Sequence, residues 1–364
     1  MITSLCKLEE YVEKGLLRKA EDEYLVQYNY SERCNNNDLW DDITLFNRGN
    51  IYEKATGKII AKAMPKFFYF SQLPEDEQKR FMRYDEFINT EKMDGCLGII
   101  YKYKGEIRCN SRGSFDNYVT DVIKRILPKY SLQQLNNVLE HNSLCVEVIS
   151  PDTKIICDYG EEENLYLLSA FVNLGDYWME RSPDELDIFA KNIGMLRPSY
   201  NNMSWSELFD WTKNANHEKE GFVVMINSTK YGAFERVKIK SEDYLKVAKF
   251  RAGLSKRSLW KLYKIDLEQN TNKLKEYINS LPDELLNIAQ GYLNELNNEL
   301  DELRNKVYEL TQSVKDIDRK DLSSYFKNSK DNLWQNIYSV RLGRSFDKSL
   351  IKLIEPKEVE VLDE

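Results

Sequence analysis

At Ser241 the periodicity of this sequence changes. Before it, apolar residues come in short runs or alternate with polar ones; after it, nearly every segment has helical spacing and strong helix formers. Strand-rich segments followed by helices alone predict an α+β fold, with antiparallel sheets flanked by helices over 1–245 and an all-helical domain over 246–364. The length of 364 residues suits two domains.

The strongest local signal is a hairpin. Two alternating segments, Leu97–Tyr103 and Glu106–Cys109, flank a Lys104-Gly105 turn. Further strands are expected at Leu144–Ile149, Leu165–Val172, Gly221–Ile226 and Ala233–Lys240, and helices at Asn117–Leu127 and Ser182–Ile193. In the helical half, Ala289, Leu293, Leu296, Leu300, Leu303, Val307, Leu310 and Val314 form a heptad seam on a helix opening near Pro282. The seam suits packing within its own domain better than a coiled-coil dimer, since it is the one such stretch.

Composition excludes several classes. A hydrophobic fraction of 42% is too rich for disorder, and no run approaches 18 apolar residues, which argues against a membrane span. The six Cys form no C-x-x-C pair, so structural zinc is not expected. Glu9, Glu10 and Glu13 stand where a secretory leader needs apolar residues, so a cytoplasmic setting is expected, that of a host cell if a phage encodes the chain. The net charge of −8 disfavours a nucleic-acid partner until it is divided along the chain. Residues 246–279 and 322–354 are basic and carry aromatics, among them Trp260 and Trp334, a mix suited to phosphates and bases; basic helix faces over core aromatics are the alternative.

Chemistry points to Lys92-Met93-Asp94-Gly95, just before the hairpin. Arg112 lies in the turn that closes it, Glu147 interrupts an apolar strand, Glu220-Gly221 opens another, and Lys238-Ile239-Lys240 ends the last. Strand alternation puts Arg236, Lys238 and Lys240 on one face. Each has a plainer reading: a solvated face for the cations, an edge strand facing water for Glu147. Together they fit one task. A lysine that attacks phosphorus must be neutral, so its pKa must fall below about 10.4, and Lys238 and Lys240 could supply the field. The same cations would stabilise a triphosphate, and the carboxylates would hold a divalent metal.

In order and spacing these residues resemble the covalent nucleotidyltransferases, and more closely the phage tRNA-repair RNA ligases of the RNA ligase 1 family. Arg48-Gly49 and Lys66-Phe67-Phe68 upstream, and Lys238-Ile239-Lys240-Ser241 with Tyr244 downstream, carry the closer likeness, over about residues 40–250. The resemblance implies an enzyme that takes AMP from ATP onto Lys92, passes it to a 5′-phosphate RNA end and joins that end to a 3′-hydroxyl. Asp94 would orient the lysine and the ribose, and Gly95 would let the backbone approach the nucleotide. Arg48 and Lys66 would contact phosphates, and Phe68 would pack near the pocket. Glu147 and Glu220, with Gly221 beside them, would bind ribose and the metal, Mg2+ or Mn2+, and Lys238 and Lys240 would grip the α-phosphate. Arg112 departs from the Lys of close family members. The resemblance also implies a helical domain setting RNA preference; a monomer with no membrane partner is expected, and the substrate stays open among a cleaved tRNA anticodon loop, another RNA and single-stranded DNA. A GTP-using capping enzyme or DNA ligase would place a β-barrel after the last motif, and a silent RNA-binding scaffold would degrade the motifs.

Overall fold

The structure is a computed structural model and describes residues 4–356 apart from 85, 176, 282 and 328–331. The chain divides into two compact units, Met1–Leu245 and Lys246–Leu362.

The first unit is built on antiparallel sheets. One joins β1 (Leu17–Glu21), β2 (Leu25–Tyr30), β3 (Arg48–Glu53) and β4 (Ile59–Ala61) in sequence order. The remaining strands are β5 (Phe87–Lys92), β6 (Cys96–Tyr103), β7 (Glu106–Ser111), β8 (Asn142–Ile149), β9 (Asn164–Asn173), β10 (Trp178–Glu180), β11 (Tyr200–Asn201), β12 (Gly221–Lys230) and β13 (Ala233–Lys240). They form a sheet of order β10-β9-β8-β6-β7 and another of order β11-β5-β12-β13.

The β6–β7 hairpin closes on Lys104 and Gly105 with φ of 51° and 85°, the two left-handed residues a tight primed turn demands. β8 is an inner strand between β9 and β6 and is buried along its whole length, so Glu147 faces no water from an edge. Its apolar side chains pack under the helix Tyr118–Ile126, where Val122, Ile123 and Ile126 are buried. The helix Pro183–Ile193 covers the same core, started by a Ser182/Glu185 capping box and ended by Gly194 at φ 88°.

The third sheet positions the chemistry. Gly221 stands opposite Lys92 on one side and opposite Lys240 on the other, so one end of β5, β12 and β13 gathers residues far apart in sequence.

In the second unit the helix Asp283–Ser313 buries Ala289, Leu296, Leu300 and Val307 completely, and the seam packs on helices of its own unit. Pro282 lies outside the described residues. The aromatics expected to meet bases are mostly structural. Trp260 Nε1 donates to Ile351 O at 2.7 Å, Phe326 stacks on Trp334 at 5.7 Å, and Tyr338 Oη donates to Arg319 O. Arg341 is likewise a scaffold cation, since its guanidinium donates to the carbonyls of Val314 and Ile317 just past the long helix. Val314 O also accepts from Ile317 N at 3.0 Å, so the guanidinium adds a second donor there. Arg341→Ala is expected to cost about 0.5–1.5 kcal/mol, read as an earlier melting transition; an unchanged transition would show that water replaces the guanidinium at no cost. No helix among the described residues is long and apolar enough to cross a membrane.

Candidate active site

Lys92 ends β5, and its Nζ lies 2.7 Å from Glu220 Oε2. Glu220 precedes β12 and is 2% exposed; its other oxygen accepts from Lys240 Nζ at 2.8 Å. One carboxylate thus joins two lysines. This arrangement needs Gly221, because a Cβ there would lie 2.0 Å from Ile239 O, and φ is 150°. Gly221 serves the close approach of β12 to β13 and so aims Glu220.

The turn Met93–Gly95 is clamped to β8. Gly95 N donates to Glu147 Oε1 at 3.2 Å, and a Cβ at Gly95 would stand 2.5 Å from Val148 O. Glycine at 95 lets the turn approach a neighbouring strand. Asp94 is held by partners other than Lys92. Its Oδ2 accepts from Ile156 N at 2.9 Å and Cys157 N at 2.7 Å, and its Oδ1 accepts from Tyr244 Oη at 2.7 Å. Tyr159 Oη accepts from Asp94 N at 2.9 Å. Asp94 is a positioning residue that holds the lysine turn to the segment after β8.

The electrostatics differ from expectation. Burial alone would lower Lys92, but the carboxylates of Glu220 and Glu147 outweigh it and raise the ammonium above the ordinary lysine value. The two nearby cations do not set its state, because Glu220 pairs with it directly. Lys238 is held well below 10.5 by burial and then by the charges of Lys92, Arg48, Lys66 and Lys240, and Lys66 is lowered as well, chiefly by burial. Lys240 is raised: burial opposes this, and Glu220 prevails. Glu220 is lowered by Lys92 and Lys240 against its burial, whereas Glu147 is pushed up to about 7, chiefly by burial. Arg236 leaves the expected row of three cations, since its guanidinium pairs with Glu180, 1% exposed in its side chain.

A second cluster adjoins the first. Arg112 Nη1 donates to Tyr30 Oη at 3.0 Å, and Lys66 Nζ lies 4.7 Å from the Tyr30 ring and 4.9 Å from that of Trp40. Phe68 meets Trp40 edge to face at 5.3 Å. Lys238 sits over Phe67 at 5.1 Å and Tyr69 at 5.4 Å, and Arg48 over Phe67 at 5.8 Å. Despite its burial, Tyr30 is lowered by the charges of Arg112, Arg48 and Lys66. Tyr30, Trp40, Tyr69 and Tyr159 escaped the sequence reading, because aromatics are abundant in this chain, with 23 Tyr, and none lies in a charged motif.

Among the described residues no three His, Cys, Asp or Glu side chains form a ready-made metal cage. Glu147 and Glu220, close enough to influence each other, are the acids at the site. Two carboxylates without a full cage suit a cation of the Mg2+ type, which is usually held by one or two acids together with substrate phosphates.

Antiparallel sheets meeting at a strand-end lysine, with paired acids and a run of cations, form a site of the nucleotidyltransferase class. The family model described as RNA ligase matches residues 47–245, more than half of the chain. The chain belongs to the RNA ligase family. It is 27% identical over 225 residues to a protein of Autographa californica nuclear polyhedrosis virus named a bifunctional polynucleotide kinase/RNA ligase, covering 56% of this chain and 30% of that one. It is 26% identical over 142 residues to an RNA ligase of Thermovibrio ammonificans, covering 38% and 37%. The chain thus spans about a third of the length of these curated relatives. A solved structure of a Naegleria gruberi RNA ligase variant with ATP and Mn aligns at a TM-score of 0.41 and 14% identity, covering 51% of this chain and 58% of that one.

Proposed function

We propose that this chain is an ATP-dependent RNA ligase that works through a lysyl-AMP intermediate. The observation that carries the reading is Lys92 at the end of β5, joined through Glu220 to Lys240 inside the region that the family model covers.

Lys92 Nζ attacks the α-phosphorus of ATP; an N–P bond forms, and the bond to pyrophosphate breaks. To attack, Lys92 must first surrender its proton and its pairing with Glu220, because the ion pair holds it charged. Lys238 and Lys240 lie where charge grows on the α-phosphate, and Arg48, Lys66 and Arg112 take the departing pyrophosphate. AMP then moves to a 5′-phosphate end, and a 3′-hydroxyl displaces it to seal the strand. Pyrophosphate and AMP are good leaving groups, so positioning and charge carry most of the work. Glu147 and Glu220 would hold a divalent cation, Mg2+ or Mn2+, which neutralises phosphate charge when bound. The helical unit sets the RNA preference, for which a cleaved tRNA anticodon loop is the substrate we favour, acting on a monomer of the enzyme.

Incubation with labelled ATP and a divalent metal should yield a covalent protein–AMP adduct that is absent in Lys92→Ala. No adduct from ATP would sink the reading. An adduct from GTP alone would favour capping, and no adduct from either would favour a silent RNA-binding scaffold.

A further inference from the structure

The first sheet carries a polar row that the scheme above does not use in full. Arg18, Asn29 and Arg48 stand opposite one another on β1, β2 and β3. Opposed residues of antiparallel strands share a face. Arg18 Nε, both polar atoms of the Asn29 amide and Arg48 Nη1 are buried, yet have no hydrogen-bond partner among the described residues. Asn29 is 1% exposed. Buried polar groups in folded proteins are nearly always partnered, so unmet donors gathered in one row point to an acceptor from outside the chain.

The surroundings suit an anion. Arg48 already belongs to the cations around Tyr30, and it feels the Arg112 charge directly. At the other end of the row, a Cβ on Gly113 would lie 3.3 Å from Arg18 Nη2, so glycine there keeps the guanidinium uncrowded. The next inward residue on β2 with the same orientation, Gln27, is fully engaged: its amide N–H groups donate to Gly49 O and Ser111 O, and its oxygen accepts from Asn110. Among the described residues of this sheet, the buried side-chain atoms without a partner are those of Arg18, Asn29 and Arg48.

We propose that Arg18 and Asn29, continuing from Arg48, form a second phosphoryl-binding subsite that takes a terminal phosphoryl dianion. Two guanidinium groups match such an oxyanion, and the Asn29 amide between them supplies a neutral donor. Two sources share that chemistry, the far end of a nucleoside triphosphate and the 5′-phosphate of a strand. Only the choice of these sources rests on the ligase reading.

The full chain and its Arg18→Gln and Asn29→Asp variants would be titrated calorimetrically with inorganic tripolyphosphate, and with oligoribonucleotides bearing a 5′-phosphate or a 5′-hydroxyl. Each variant should weaken one of the phosphoryl probes about tenfold or more, the scale of a charge-assisted hydrogen bond. Loss confined to tripolyphosphate assigns the nucleotide tail; loss of the preference for 5′-phosphate over 5′-hydroxyl assigns the strand end. Asn29→Asp guards against misfolding, because a carboxylate between two guanidinium groups should keep or raise the melting temperature while repelling phosphate. Unchanged affinity for both probes, with or without a fall in melting temperature, overturns the proposal and leaves the row a structural feature. Failure of the wild type to form an adduct with ATP would refute the ligase reading and leave the tripolyphosphate result standing.

Discussion

Glutamine in place of Glu220 is expected to cost about 3–5 kcal/mol of stability, the usual penalty for stranding a buried cation. The size follows from geometry, since one carboxylate holds Lys92 at 2.7 Å and Lys240 at 2.8 Å, and its own side chain is 2% exposed. Glutamine keeps the shape and loses the charge, so two lysines remain in a weakly screened pocket without their paired carboxylate, and only Glu147 still attracts Lys92. Adduct formation with ATP should fall by about two orders of magnitude, as when one preorganised electrostatic contact is lost at a reacting centre. Acid does not explain the deficit away. The lysines hold the Glu220 carboxyl below its ordinary 4.5 against the pull of burial, so its contribution is complete above that pH and disappears only in more acidic solution. Denaturant melts should therefore show the deficit at every pH from 5 to 8, with any slope in that window set by Glu147, which is pushed up to about 7 and feels the Glu220 charge. A difference below about 1 kcal/mol would mean that the lysines find other partners.

Asp94→Ala is the second large effect, and it separates two roles for the same residue. An aspartate that touched the ribose or Lys92 would, when removed, lower adduct formation and leave stability alone. Here the side chain accepts from two backbone N–H groups and the Tyr244 hydroxyl, all buried. Alanine leaves those donors unmet at about 1–3 kcal/mol each, so a loss of about 3 kcal/mol or more is expected together with loss of the adduct. Asp94→Asn keeps an acceptor oxygen for the two N–H groups and should recover at least half of that stability. If both variants melt like the wild type and neither forms adduct, the positioning role is wrong and direct contact with substrate is right.

Much of the architecture was legible locally. Alternation along 97–109 and the Lys104-Gly105 pair predict the hairpin, because side-chain period and left-handed turn residues are properties of a few neighbours. The boundaries of β13 and the helix after Ser182 follow for the same reason. The first sheet was harder to read. β1 is short and charged, and β2 is buried at every position, so neither shows clean alternation. The basic, aromatic stretches of the helical unit looked like a nucleic-acid surface, and the fold spends many of them on packing and on the end of the long helix.

By itself the sequence determined which residue types could do the chemistry and where along the strands they stand, because strand period and motif spacing are written in the order of residues. Only the tertiary structure decided which charge meets which. Lys92 and Glu220 are 128 residues apart, and β-sheet registry, not any local propensity, sets them 2.7 Å from each other. That pairing raises Lys92, as it raises Lys240, while Lys238, with no carboxylate partner among the described residues, is depressed. The same long-range packing sends Arg236 to Glu180, turns Asp94 toward Tyr244 and lines up Arg18, Asn29 and Arg48, each with a buried polar atom that meets no hydrogen-bond partner among the described residues.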